Sequence, residues 1–523
     1  MHRIPPADVN RHILCIYPRF PSSLARFDHA YRFMDGMRAL MPPHGLLVVA
    51  AVLPANWQVR LVDENIRTAT REDYLWADAV FVSGMHAQRQ EIKSLCRRAH
   101  SFDRTVVLGG PSVSASPEHY PECDYLHVGE LGDATDELIA RLGQDPSRPT
   151  AQVVLTTEKR RDLIDFPLPA YELVESDRYA VVGGLQYSVG CPYQCEFCDI
   201  PALYGRVPRL KKPEQITAEL DKLIACGAKT AGFIDDNFIG NRRATRELLL
   251  VLVEWQRSRG YPFQFSCEAT INLAKYPDML TLMREARFVS VYCGIETPEP
   301  VALKAMAKAH NLMLPIIESV RTLNRYGLEV SSGIILGLDT DTPSTGKRII
   351  EFIEASHIPL LFINLVTALP RTPLWDRLER DGRLLHDEQR ESNVDFIMPY
   401  RQVLAIFRDT VIHAFASAAV FERYAHQLLH TYPNRLAIPS NSAEIDWPML
   451  KRGLRVLCSV MWACGVRASY RFYFWRVALR CLRKGWIAEM ISIAFVADNM
   501  IHLGVEAEFG RSADGWHRGR GRV

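Results

Sequence analysis

From Arg11 to about Arg148, short apolar runs alternate with stretches of helical length: Ile13–Tyr17, Val59–Val62, Ala79–Ser83, Thr105–Leu108 and Tyr125–Val128. The runs are rich in Val, Ile and Leu, have the length of strands buried on both faces, and leave room for crossover helices between them. That pattern predicts a doubly wound parallel α/β sheet. The rhythm returns from about Tyr179 to Leu385, where Leu185–Val189, Thr230–Ile234, Phe263–Cys267, Phe288–Cys293, Val330–Leu336 and Leu360–Val366 read as strands. Pro213–Ala225, Arg242–Arg257, Asp278–Ala286, Ile316–Tyr326 and Ser344–Ala355 read as the helices between them, with Pro213 at a start and Gly227 and Gly327 past ends. Six such βα units predict a partial (β/α)6 barrel, with chemistry at the carboxyl ends of its strands. Beyond about His386 only helical periodicity remains. The expected division is residues 1–150, 151–390 and 391–523.

Composition narrows the class. The 523 residues are 48% hydrophobic and 23% charged, which is globular rather than disordered. Sixty-two basic residues against 60 acidic ones leave +2, so the whole chain carries no nucleic-acid signature. Met1 to Arg11 lacks the apolar core of a signal peptide, and the twelve cysteines are scattered apart from one group. A reducing cytoplasm is expected, with the scattered cysteines acting as small hydrophobes.

The one group is Cys191, Cys195 and Cys198, a C-x3-C-x2-C run directly after the first barrel strand. Three thiolates can hold three irons of a 4Fe-4S cube and leave the fourth iron open. A structural zinc site is the other reading, but zinc takes four ligands, and no second pair stands at suitable spacing. Polar residues fall at the other strand ends: Asp235-Asp236-Asn237, Glu268, Glu296-Thr297, and the run Gly333 to Gly337. Each alone reads equally as a solvated loop residue; four in register with the cysteines do not. In the first sheet the strand ends carry Pro18, Asp63-Glu64-Asn65, Ser83 to His86, Gly109 to Ser112, and Gly129-Glu130. Glycines there would let a ligand approach the backbone, and serines would bond it. No G-x-G-x-x-G follows the first strand, which counts against a dinucleotide.

The cysteine run resembles the signature of the radical S-adenosylmethionine (SAM) enzymes, including the aromatic Phe197 before its last cysteine. The resemblance implies that Cys191, Cys195 and Cys198 carry the cluster and that SAM chelates its open iron. Phe197 would then lie against the adenine, Asp235, Asp236 and Asn237 at the methionine amine, and Glu268 and Glu296 at the ribose or methionine. Gly333 and Gly337 would flank the adenine, with the acid that usually follows shifted to Asp339 or Asp341. Carboxylates suit the amine and hydroxyls of a sulfonium zwitterion. Met41-Pro42-Pro43-His44-Gly45-Leu46 and Gly109-Gly110-Pro111 resemble the cobalamin-binding domain that precedes the radical core in one large class of these enzymes. That places cobalamin against Ser83, His86, Gly109, Gly110, Ser112, Gly129 and Glu130. The D-x-H-x-x-G motif is missing, which fits a base-off arrangement without a histidine ligand. His86 either faces the cobalt or is an ordinary loop histidine.

Together the two cofactor signatures resemble those of methylases. One SAM would convert cob(I)alamin to methylcobalamin, and a second would yield a 5′-deoxyadenosyl radical that takes hydrogen from the substrate. The substrate radical would then collect the methyl group, with no side-chain base required. Met41–Ala51, Asp63–Ile66, Asp235–Asn241, Cys267–Ala274, Cys293–Met306 and Gly333–Pro343 resemble the bacterial hopanoid C-2 methylases. This implies a hopanoid or other apolar polycyclic substrate and an electron donor such as flavodoxin or ferredoxin. Two alternatives stay open: a cobalamin-dependent radical SAM enzyme acting elsewhere, such as a methylase for an antibiotic precursor or an anaerobic tetrapyrrole ring cyclase, and a cobalamin or iron–sulfur sensor.

In the C-terminal third, Phe472, Trp475, Leu479, Leu482 and Trp486 form an apolar stripe edged by Arg476, Arg480 and Arg483. Trp486 to Val505 is apolar enough to test as a membrane span. Glu489 and Asp498 each cost about 2.5–3.5 kcal/mol mid-helix against about 0.3–0.6 kcal/mol returned per strong apolar residue, so a span is not expected. A peripheral membrane contact through the arginines and a solvated helical face both remain open. The Gly- and Arg-rich tail Gly510 to Val523 is expected to be disordered.

Overall fold

The computed structural model describes residues 9–21, 27–34, 36–228, 230–387, 390–437 and 447–509. The first sheet contains β1 (His12–Tyr17), β2 (Gln58–Asp63), β3 (Ala79–Ser83), β4 (Thr105–Gly109), β5 (Tyr125–Val128) and β6 (Val153–Thr156). They run parallel in the order β2-β1-β3-β4-β5-β6, so the strand order reverses beside β1. Alternate residues feed two cores. Leu14, Ile16, Val80, Val82, Val106 and Leu108 face one side, and Ile13, Cys15, Phe81 and Val107 the other. Helices α1 (His44–Val52), α2 (Arg71–Trp76), α3 (Arg89–His100), α4 (Pro111–Ala115) and α5 (Asp133–Gln144) cover the two faces. The short α2 opens on a capping box in which the Asp73 amide donates to Thr70 Oγ1 and the Thr70 amide to Asp73 Oδ2. The sixth strand was not expected. It is an edge strand of four residues, and its exposed Val154 breaks the buried pattern.

The second sheet is six-stranded and all parallel, and forms the partial barrel. In chain order come β7 (Gly183–Leu185), β8 (Ser188–Val189), α6 (Ile200–Leu203), β9 (Arg209–Leu210), α7 (Pro213–Ala225), β10 (Thr230–Phe233), α8 (Arg242–Ser258), β11 (Gln264–Glu268), α9 (Pro277–Glu285), β12 (Phe288–Glu296), α10 (Pro300–Ala305), α11 (Ile316–Arg325), β13 (Glu329–Leu336), α12 (Thr345–Ser356) and β14 (Leu360–Leu365). The expected strand Leu185–Val189 is divided. Leu185 ends β7, whereas Ser188 and Val189 turn out to pair antiparallel with β9. Asp235 causes the break, because its carboxylate accepts from the Tyr187 and Ser188 amides and so draws them off the barrel ladder.

The remaining helices are α13 (Pro373–Arg380), α14 (Tyr400–Ala414), α15 (Ser417–His430), α16 (Trp447–Trp462), α17 (Arg471–Lys484) and α18 (Ile487–Glu508). They share one continuous core with the barrel and with residues 27–33. The apolar stripe of α17 is corrected here. Its core face is Phe474, Val477, Ala478 and Cys481, while Phe472, Leu479 and Leu482 are exposed. Helix α18 is, among the described residues, one single helix long and apolar enough by length and composition to cross a membrane, yet 56% of its most apolar window is buried inside the protein. Asp498 in that helix is fully buried, accepts from Arg32 Nη2 at 2.6 Å, and is hydrogen-bonded by the Tyr470 hydroxyl. A buried carboxylate with two such donors is a folded-core feature. Gly510 to Val523 lies outside the described residues.

Candidate active site

The three cysteines stand on the loop closed at its base by the β8–β9 ladder. Gly190 enters it at φ +100°, and a Cβ there would stand 2.9 Å from the Gly205 carbonyl oxygen, so only glycine fits. Two acids hold the peptide just before Cys191. Asp235 takes the Tyr187 and Ser188 amides and the Ser188 hydroxyl, and Asp236 takes the Gly190 amide at 2.7 Å. Burial pushes Asp235 up to about 7, opposed by its Ser188 and Tyr187 donors, and pushes Asp236 up to about 6. Between Cys195 and Cys198, the Glu196 amide donates to the Met306 carbonyl at 3.0 Å, and its own carbonyl accepts from Leu374. The Glu196 carboxylate pairs with Arg377, which also holds Asp339, itself bound by Arg383. Helices α10 and α13 thus grip the loop from two sides. Tyr193, between the first two cysteines, stacks on His310 at 3.7 Å and accepts from Asn272.

All three thiols are free, and burial raises each, Cys198 to about 12. Lys308 opposes this at Cys195 and Cys191; it is buried, 2.8 Å from Glu296 Oε1 and 5.4 Å from the centroid of the Phe197 ring. Among the described residues no three His, Cys, Asp or Glu side chains converge closely enough for a single metal ion. Three thiols beside a buried cation, without a fourth ligand, suit an iron–sulfur cube with an open iron better than tetrahedral zinc.

Below the loop the barrel is hollow. Residues on the helix-facing side of the strands, such as Phe265, Val291, Cys293, Val330 and Leu361, are fully buried. Their inward-facing neighbours Ser266, Tyr292, Ser331 and Phe362 remain partly open to water, and Glu268 is exposed within the barrel wall. Desolvation within the barrel wall pushes the Glu268 carboxyl up to about 7, with the charges of Asp236 and Asp235 adding to it. Its carbonyl accepts from Phe238, and the Asn237 side chain accepts from the Thr270 amide. The Asn237 side-chain nitrogen is buried with no partner, a donor in want of an acceptor.

Glu296 ends β12 at φ +68°, where the pairing with β13 slips between Gly294 and Glu296. A non-glycine residue there is strained, and such strain gathers at working sites. Glycines make room around it. A Cβ on Gly333 would lie 2.5 Å from the Tyr292 hydroxyl and 3.2 Å from Glu296 Oε2, and one on Gly294 would lie 2.5 Å from Glu296 Oε1. Gly337 (φ +86°) and Leu338 donate their amides to Asp341, which builds this turn, while Asp339 is engaged with the two arginines. Phe197 packs with Leu338 on the Ala302, Leu303 and Met306 cluster, next to the Gly337 turn.

At the first sheet, Ser83, Gly109, Gly110 and Gly129 lie at the carboxyl edge. Gly110 (φ +94°) is required because a Cβ would collide with Ser83 Oγ. The edge faces the barrel, since α4, which starts at Pro111, packs against α6 just after Cys198. His86 sits in the short turn 86–88 with its ring 5.8 Å from that of His119. The Met41 side chain reaches the inner faces of β7 and β10, where a Cβ on Gly184 would meet its sulfur at 3.2 Å. His44 is buried there, and burial followed by the charge of Lys211 pushes it down to about 3 against the opposing pull of the Gly184 backbone.

Three of the expected ligand residues have partners within the protein. Asp235 is turned into the protein by the loop amides, so its oxygens do not face the hollow. The Ser112 hydroxyl is buried 2.5 Å from that of Tyr120. Glu130 lies 2.6 Å from Arg209 and 3.1 Å from Arg160, which ties the sheet to β9 instead of offering a free carboxylate. The sequence reading missed Lys308 and Tyr292, whose contacts with Glu296 and Phe362 come from other elements.

A B12-binding domain model matches residues 37–139, a radical SAM superfamily model 185–353, and a domain of unknown function (DUF4070) 372–509. Among solved structures, the cobalamin-dependent S-adenosylmethionine radical enzyme OxsB is similar in fold, with a TM-score of 0.60 at 13% identity, covering 98% of this chain and 83% of that one. The radical S-adenosylmethionine methyltransferase TsrM from Kitasatospora setae gives 0.53 at 15% identity, covering 72% and 79%. The fold and its matched domains define a cobalamin-dependent radical SAM methyltransferase. The chain belongs to the hopanoid C-2 methylase family, being 56% identical over 504 residues to the hopanoid C-2 methylase of Rhodopseudomonas palustris (strain TIE-1), which covers 96% of this chain and 95% of that protein. It is also 35% identical over 483 residues to an uncharacterized methyltransferase of Synechocystis, covering 90% and 87%.

Proposed function

We propose that this enzyme places a methyl group on an unactivated carbon of an apolar polycyclic lipid, specifically C-2 of the hopanoid A ring. The observation that carries the reading is the meeting of two sites. The carboxyl edge of the first sheet packs, through α4 on α6, next to the segment that follows Cys198, and the inward-facing residues of the barrel strands remain partly open to water. When bound, the cluster with SAM supplies a hydrogen-abstracting radical and the cobalamin supplies the methyl group. The chain's part is to hold and exclude. Cys191, Cys195 and Cys198 would carry the cluster, with Lys308 offsetting thiolate charge. Asn237, Glu268 and Glu296 would bind the amine and hydroxyls of SAM, with Phe197 and the Gly337 turn at the adenine. Ser83, Gly109, Gly110 and Gly129 would admit cobalamin at the sheet edge. An external electron donor such as flavodoxin or ferredoxin would reduce the cluster.

The inner wall supports an apolar substrate. Tyr292 and Phe362 sit edge to face at 5.8 Å among small serines, a lining that offers ring surface and few charges beyond Glu268. Burying apolar area there contributes about 25 cal/mol per Å², so a polycyclic hydrocarbon needs few polar contacts. The experiment is deletion in a hopanoid-producing host with no second such enzyme. Loss of 2-methylhopanoids is expected, and their persistence at the parental level overturns the substrate.

A further inference from the structure

The C-terminal helices carry two features that the reaction does not use. From Trp447 to Ile487 the chain has nine basic side chains and neither Asp nor Glu, although its totals are balanced at 62 and 60. Three of the nine lie on α16, Arg467 lies in the turn between the helices, and five lie on α17. The second feature is geometric. With its core face filled by Phe474, Val477, Ala478 and Cys481, α17 still turns Phe472 (75% exposed), Leu479 (46%) and Leu482 (39%) to solvent. Arg476 and Arg483 are exposed among them, and Arg480 is partly so. Helix α16 repeats this, exposing Leu454 and Trp462 beside Lys451 and Arg455, and the turn adds Val466. Nearly half of the large exposed hydrophobic side chains among the described residues lie within 447–509.

Exposed aromatic and aliphatic groups flanked by arginine suit one environment well. The apolar groups enter the acyl boundary of a bilayer, and the guanidinium groups meet lipid phosphates above it. A second copy of the chain is a poor occupant, because a two-fold contact would set the same basic face against itself. Glu422, 3.7 Å from Arg476, is an exposed acid beside this face.

We infer that the outer faces of α16 and α17 dock the enzyme in the plane of an anionic membrane, from which the substrate enters. The entry clause rests on the apolar-substrate reading; the docking clause does not. The test is flotation of the full-length, cluster-loaded protein with phosphatidylcholine vesicles, with and without phosphatidylglycerol and with no substrate present. Binding to the anionic vesicles is expected, weakening as salt rises. The triple variant Arg476→Gln, Arg480→Gln, Arg483→Gln is expected to bind on the order of 100-fold more weakly, at about 1 kcal/mol per charge. Phe472→Ser with Leu479→Ser is expected to bind at least about tenfold more weakly, since each removes an inserting group. Both variants should unfold at the parental midpoint and turn over detergent-dispersed substrate at the parental rate. Equal binding to neutral and anionic vesicles, undiminished binding by the triple variant, or a dimer abolished by Phe472→Ser would overturn the inference. The wild-type lipid and salt comparison decides the matter even if a variant misfolds. Docking without hopanoid conversion would leave the surface standing and remove the substrate.

Discussion

Gly333→Ala tests the inner wall most sharply. The added carbon would stand 2.5 Å from the Tyr292 hydroxyl and 3.2 Å from Glu296 Oε2, so one of them must move. Overpacking of this kind typically costs 1–3 kcal/mol. The hydroxyl is the far end of a side chain beside an open hollow, so the low end, about 1 kcal/mol, is expected. The displaced ring then intrudes where SAM is proposed to lie, and a misplacement of about 1 Å near reacting groups can cost on the order of 100-fold. The prediction is therefore a small loss of stability with a loss of about 10- to 100-fold in 5′-deoxyadenosine formation. Tyr292→Phe supplies the control. Without the hydroxyl the nearest ring atom is Cζ at 3.7 Å, an ordinary contact, so the double variant should recover most of the loss. Radical formation unchanged in Gly333→Ala, or no recovery in the double variant, refutes the reasoning.

Four further outcomes are expected. Glu268 is raised in the folded state to about 7 from an ordinary 4.5, so its contribution to stability is full below 4.5 and is lost as pH rises towards 7. The unfolding midpoint of Glu268→Gln should therefore gain on wild type across that window, and a gap independent of pH would contradict it. SAM binding should draw a proton from Glu268, seen as a buffer-dependent heat in calorimetry and abolished in the same variant. Lys308→Met strands Glu296 as a buried charge and should destabilise by about 3–5 kcal/mol in denaturant titration, with Lys308→Met plus Glu296→Gln costing less. Arg377→Met unties the loop's Glu196 from α13 and leaves Asp339 to Arg383 alone. It should lose iron to a chelator several-fold faster with an unchanged circular dichroism spectrum, and parental retention would show that the loop holds itself.

Much of this architecture could be read from periodicity. Strands buried on both faces announce themselves as apolar runs, and five of the six in the first sheet fall within a residue or two of their expected bounds. The sixth, Val153–Thr156, escaped because an edge strand needs no continuous apolarity. In α17 periodicity pointed to the wrong face, since Phe474, Val477, Ala478 and Cys481 form one apolar stripe and Phe472, Leu479 and Leu482 another. The cysteine run was legible because all its donors are adjacent in sequence. What surrounds it was not. Asp235 looked like a ligand from its strand-end position, and only the fold shows the Tyr187 and Ser188 amides that claim it. Lys308 carried no local signal, because its partners Glu296 and the cluster thiols lie on other elements.

The central claim is that one chain makes a radical and delivers a methyl group to the same carbon. Its most direct test is anaerobic turnover of the reconstituted enzyme with cobalamin, reductant, a hopanoid and SAM deuterated in its methyl group. The account predicts a 2-methylhopanoid carrying the intact deuterated methyl, with one 5′-deoxyadenosine and one S-adenosylhomocysteine formed per product. 5′-Deoxyadenosine without any methylated hopanoid, or methylation without 5′-deoxyadenosine, would contradict it.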